Sequence, residues 1–124
     1  MAYNVRYEDR GKYLYAHISG PESVENACGF FRDLRLKAEA EDHTAFLIVD
    51  EVTGVLDTNQ TYFISKEIAK LHAGNIIAFV DPKEETFSTN AFGGTVVANR
   101  GVITRVFDNE EEALKWLLDT IARS

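Results

Sequence analysis

Three aspartates stand at the carboxyl ends of predicted strands in this sequence: Asp50 after Ala45 to Val49, Asp81 after Ile76 to Val80, and Asp108 after Val102 to Phe107. Carboxylates at the ends of neighbouring strands could converge on the ligand crevice of an open α/β sheet. Hard oxygen ligands of this kind could hold Mg²⁺ for phosphoryl-transfer or receiver-type chemistry. Turn and cap roles account for two of them as well, since Asp81 precedes Pro82 and Asp108 precedes a helix. No Lys follows the last strand to neutralise a bound phosphoryl group, and no Walker or Asp-x-Asp motif occurs. Asp50, Asp81 and Asp108 are therefore the only metal candidates, and no cofactor is expected.

A second set of groups lies in the loop from Asp50 to Thr58, which also contains Glu51, Thr53, Gly54 and Asp57. A phosphate on Thr58, at a helix N-terminus, would gain from the dipole and the free N–H groups. Beside Asp57, Glu51 and Asp50 it would also add charge to an acidic surface and repel a partner. The alternative is that Thr58 or Asp57 only caps the helix, a role both side chains favour. His17, His43 and His72 lack metal-ligand spacing and read as structural, with His72 placed to interact with a helix C-terminus. Cys28 lies on an apolar helix stripe with no His nearby and reads as a packing residue. Gly93-Gly94 lacks dinucleotide-turn spacing and points to close packing or a local break.

These groups need elements to hold them. Tyr3 to Glu8 and Lys12 to Ser19 alternate around Asp9-Arg10-Gly11, which predicts an N-terminal antiparallel hairpin. After Gly20-Pro21, apolar residues recur at helical spacing through about Glu41. The five-residue runs Ala45 to Val49 and Ile76 to Val80 are apolar on both faces, as parallel strands covered by helices should be. Helices are expected from about Thr58 to Gly74, from about Ser88 to Asn99 and after Asp108, the last with an acidic first turn at Glu110 to Glu112. The order is β-β-α-β-α-β-α-β-α: one α/β domain spanning residues 1–124, with a mixed sheet and about four helices.

Composition narrows the function classes. Hydrophobic residues at 45% and charged residues at 27% fit a folded globular chain. A net charge of −7 with scattered Lys and Arg disfavours nucleic acid as a partner. No apolar run approaches the ~20 residues that would span a bilayer, so no membrane insertion is expected. The single Cys28 and the lack of an apolar N-terminal segment suggest a cytoplasmic address. Tyr13, Tyr15 and His17 share one strand face, which Tyr3, Val5 and Tyr7 could extend. If helices cover only the Leu14 side, that face would form a dimerisation or docking patch; the alternative is a solvated face with scattered tyrosines.

The element order and loop residues resemble the SpoIIAA-like branch of STAS domains, over about Tyr3 to Ile121. That pattern has a strand ending in Asp, a Ser-Gly-Val-like turn, and Asp-Ser-Ser-Gly opening a helix. Here the matching residues are Asp50, then Thr53-Gly54-Val55, then Asp57-Thr58-Asn59-Gln60. Thr58 stands where the family's phosphorylatable serine sits, while Asn59 and Gln60 replace the Ser-Gly pair. Arg105-Val106-Phe107-Asp108, leading into Glu112 to Leu117, also resembles this branch. The resemblance implies a STAS-like fold and a non-catalytic regulatory domain. That domain would bind a protein partner or a second copy of itself through Asp50, Thr53, Gly54, Asp57, Thr58 and Asn59. The alternative is a small-molecule, anion or metal-binding domain, or an enzyme, using the acidic strand edge. Lipid carriage, implied by a more distant similarity to Sec14-type domains, is disfavoured because so small a chain leaves little volume for an acyl chain.

Overall fold

The structure is a computed structural model and describes residues 3–124. Its elements follow the expected order: β1 (Asn4–Asp9), β2 (Leu14–Pro21), α1 (Val24–Glu41), β3 (Ala45–Thr53), α2 (Thr58–His72), β4 (Ile76–Val80), α3 (Glu84–Ala98), β5 (Ile103–Phe107) and α4 (Glu110–Arg123). The five strands lie side by side in chain order. Only β1 and β2 pair antiparallel, with Tyr7 opposite Ala16; β2 through β5 run parallel. Each crossover steps one strand in the same direction, so a common hand puts α1, α2 and α3 on one face. The strand order never reverses, so the sheet has no topological switch point to open a crevice at its edge.

Two cores follow from strand alternation. Leu14, Ala16, Phe46, Ile48 and Ile77 pack beneath Phe30, Phe31 and Leu34 of α1, Ala69 of α2 and Val97 of α3. On the other face, Leu47, Val49, Ala78, Val80 and Phe107 meet Ala113 and Leu117 of α4. Tyr13 and Tyr15 belong to this second core at 7% and 4% exposure, with the Arg10 guanidinium over the Tyr15 ring at 3.9 Å. Tyr3, Val5 and Tyr7 pack against the first core instead. The hairpin register causes this, because it sets Tyr7 beside Ala16 and leaves Glu8 opposite Tyr15. The expected exposed aromatic patch does not exist, and the tyrosines are not scattered in solvent either.

Two boundaries differ from the sequence reading. Strand β3 does not stop at Val49 but runs to Thr53, because β2 continues beside it and pairs Ile18 with Asp50 and Pro21 with Thr53. Helix α3 begins at Glu84 rather than Ser88 and passes through Gly93-Gly94 without a break. A Cβ built on Gly93 would lie 3.0 Å from Ser65 Oγ, and one on Gly94 would lie 2.8 Å from Val106 Cγ2. The pair thus lets α3 approach α2 and β5 closely. Among the described residues, no helix is long and apolar enough to cross a membrane.

Candidate functional site

The extension of β3 decides where Asp50 goes. Ile48, Asp50 and Val52 alternate onto the helix-covered face, so the Asp50 side chain is buried. Asp81 follows Val80, which pairs with Val49, and the two carboxylates end up close together. Lys83 Nζ lies 2.8 Å from Asp81 Oδ1 and 3.6 Å from Asp50 Oδ1, and donates to the Asp50 carbonyl at 2.7 Å. From α3, Asn90 Nδ2 donates to Asp81 Oδ2 at 2.6 Å and to Asp50 Oδ2 at 3.2 Å, while Thr86 Oγ1 donates to Asp81 Oδ2 at 2.6 Å. Burial pushes the Asp81 carboxyl up, but these donors together with the Lys83 ammonium outweigh it and hold it below the usual range. Burial wins at Asp50, whose carboxyl is raised despite Val52 N–H and Lys83.

Glu22 completes the cluster. It is half-buried between β2 and α1, and its Oε1 accepts from Ser23 N at 3.1 Å. Burial, followed by the Asp50 charge, pushes its carboxyl up to about 7. Glu22, Asp50, Thr86 and Asn90 line one part of a cleft of about 110 Å³ between the sheet and α1, α2 and α3. Its remaining wall is mainly apolar, including Phe30, Phe31, Ile64, Ile68, Ile77 and Phe79. The cleft reaches the surface beside Gly54 and Val55, both exposed.

The other loop residues face solvent. Gly54, at φ +105°, turns the chain out of β3, and Thr53, Asp57, Thr58 and Asn59 are exposed. Asp57 is the N-cap of α2: Gln60 N donates to its Oδ1 at 2.8 Å, and Asp57 N donates to Gln60 Oε1 at 3.0 Å. This reciprocal capping box fixes the helix start without using Thr58. The Thr58 hydroxyl forms no hydrogen bond among the described residues. Around it, Val55 is 62% exposed and Phe63 49%, with Tyr62 also exposed and bonded to Arg100 Nη2 at 2.9 Å.

Asp50 and Asp81 are brought together, but Asp108 is not. The chain leaves the sheet at Phe107, and Asp108 is exposed, accepting from Asn109 Nδ2 at 2.9 Å. The expected three-aspartate edge therefore does not form, and no cluster of three metal-ligating side chains occurs among the described residues. His17 meets Glu51 at 3.1 Å and His43 meets Asp9 at 2.9 Å. His72 is buried against the Phe31 carbonyl and Asn75 rather than serving its helix terminus. Cys28 is buried, as its helical stripe predicts. Sequence reading missed Glu22, Lys83, Thr86 and Asn90. The spacing Asp81, Lys83, Thr86, Asn90 across a strand end and a helix start was the available signal.

No protein-family model matches the chain, and no curated protein does. Among solved structures, RsbS from Moorella thermoacetica, in a serine-to-glutamate variant, superposes with a TM-score of 0.58 at 21% identity, over 97% of this chain and 98% of that one. The fold is STAS-like. At that identity the likeness establishes architecture: a five-stranded mixed sheet with an antiparallel first pair and four helices. In this STAS-like chain the outward residues of the β3–α2 loop and the inward cluster at Asp50 are separate surfaces joined by one strand.

Proposed function

We propose that the chain acts as a single regulatory domain without catalytic activity, docking a protein partner through the β3–α2 loop and the outer face of α2. The observation that carries this reading is the exposure of Val55, Tyr62 and Phe63 around the unbonded Thr58 hydroxyl, on a helix start made rigid by its capping box. Of the large apolar side chains exposed at the surface among the described residues, these three lie on one loop and the helix it opens, whereas Leu36, Phe92, Ile103 and Leu118 stand singly on α1, α3, β5 and α4. Grouped aromatic side chains of this kind supply contact area at a docking surface. The RsbS likeness supports the architecture on which the reading rests. A phosphate on Thr58 would put two further negative charges beside Asp57 and weaken docking of an acidic partner.

A photo-crosslinking residue placed at Phe63 tests the site in cells of the source, with Leu36 and Leu118 as control positions. A specific adduct at Phe63 only, lost in Thr58→Glu but kept in Thr58→Ala, is the expected outcome. Equal adducts at the control positions, or full capture at position 63 in both Thr58→Glu and Tyr62→Glu, would show that the surface is wrong. The partner is a different protein or a second copy, and the adduct mass distinguishes them. Sedimentation over a range of concentrations gives the second-copy reading an independent check.

A further inference from the structure

The cleft beneath α1, α2 and α3 has a chemistry that the docking surface does not use. Its volume of about 110 Å³ approaches the roughly 150 Å³ of an apolar cavity that admits a single benzene ring. Most of the wall is hydrocarbon, from Phe30 and Phe31 on α1 through Ile64 and Ile68 on α2 to Ile77 and Phe79 on the sheet. One part is different. Glu22 and Asp50 line it, and each brings a carboxylate into a largely apolar surround.

The local charges do not balance. Glu22, Asp50 and Asp81 surround one ammonium, Lys83, and that ammonium is already committed to Asp81 Oδ1 and the Asp50 carbonyl. Asp81 is satisfied by four donated bonds: Lys83 N, Lys83 Nζ, Thr86 Oγ1 and Asn90 Nδ2. Glu22 accepts only from Ser23 N among the described residues; Asp50 accepts from Val52 N at 2.9 Å on Oδ1, with Lys83 Nζ 3.6 Å away, and only a long 3.2 Å bond from Asn90 on Oδ2. A carboxylate or phosphate ligand would add like charge here, a purely apolar one would leave the Glu22 oxygens unfilled, and a neutral donor would forgo the charge-assisted bond that an ammonium makes.

We propose that the cleft binds a small amphipathic amine, with an apolar body of about six carbons between Phe30, Ile64, Ile68 and Phe79, and an ammonium group donating to Glu22 and Asp50. A long acyl chain exceeds the space. The raised Glu22 carboxyl then gives binding a pH signature: an ammonium stabilises the ionised carboxylate, so affinity rises as Glu22 loses its proton near neutrality. This inference is independent of the docking surface, which the cross-linking at Phe63 tests without any amine present.

Hexylamine, hexanol and hexanoate, titrated into the full chain and followed through the methyl signals of Ile64, Ile68 and Ile77, decide it. Hexylamine is expected to shift these methyls and to bind about tenfold or more tighter than hexanoate. Its affinity should increase between about pH 5 and about pH 8. Glu22→Gln should lower hexylamine affinity about tenfold and flatten its pH dependence, leaving hexanol unchanged. Ala27→Phe or Ile68→Phe, each filling the cleft, should block all three probes. Equal binding of hexanoate, wild-type behaviour of Glu22→Gln, or no methyl shift with any probe would overturn the proposal. A preference for dodecylamine over hexylamine would overturn the size limit.

Discussion

Glu22 and Asp50 hold their protons more tightly than free carboxylates do, while Asp81, a few ångströms of network away, holds its proton less tightly. The signs of their linkage to stability are therefore opposite. Between about 4.3, the ordinary value for a glutamate, and about 7, folded Glu22 keeps a proton that the unfolded chain has released, so stability falls as pH rises through that window. Asp81 contributes stability above the ordinary carboxylate range that is lost on acidification. Glu22→Gln isolates the first effect: urea unfolding should show the variant gaining on wild type as pH goes from about 5 to about 8. A constant difference across that range would mean that Glu22 titrates normally. None of this was legible in the sequence, where Glu22 is one of many acidic residues after a Gly-Pro break. Its environment comes from the pairing of β2 with β3 beyond Val49, made by residues too polar to read as a strand. Asp50 and Asp81 were legible as strand-end carboxylates; the Asp81–Lys83 spacing hinted at the local half of the network, but the reach of the Lys83 ammonium to Asp50 on another strand is encoded by no local pattern.

At the scale of elements, capping chemistry was the readable part. The sequence narrows the cap of α2 to Asp57 or Thr58 and that of α4 to Asp108 or Asn109; Asp57 and Asn109 are the residues that cap, Asp57 in a reciprocal box with Gln60. The start of α3 was obscured because Lys83 provides no side-chain cap bond and Gly93-Gly94 lowers its helical propensity. What restores the helix is tertiary: Gly93 sits on Ser65 and Thr61 of α2, and Gly94 on Val106 of β5. Gly94→Ala should therefore cost about 1–3 kcal/mol from overpacking, although alanine is the better helix former. Pairing it with Val106→Ala should recover part of that loss in a double-mutant cycle measured by chemical denaturation. Strictly additive effects would show that Gly94 does not depend on Val106.

For the molecule as a whole, three helices share one face of the sheet and α4 alone seals the other. Alternation in β2 assigns Tyr13 and Tyr15 to one side, yet it cannot say that a helix some hundred residues later closes over them, which is why their burial was not legible. Leu117 is fully buried at the centre of that seal. Leu117→Ala should cost about 2–5 kcal/mol and lower the single unfolding transition, followed by calorimetry, rather than release α4 separately. Two resolved transitions would count against one cooperative unit. The strand order of the sheet is also the order of synthesis, from β1 to β5. On the ribosome, each parallel strand can join an edge that has already emerged, together with the helix that precedes it, so growth needs no late strand to insert between earlier ones. The exception is the face lined by Leu47, Val49, Ala78 and Val80, which stays bare until α4 has followed β5 out of the ribosome. The nascent chain therefore carries an aggregation hazard on that face until α4 has emerged, and α4 is the element that removes it.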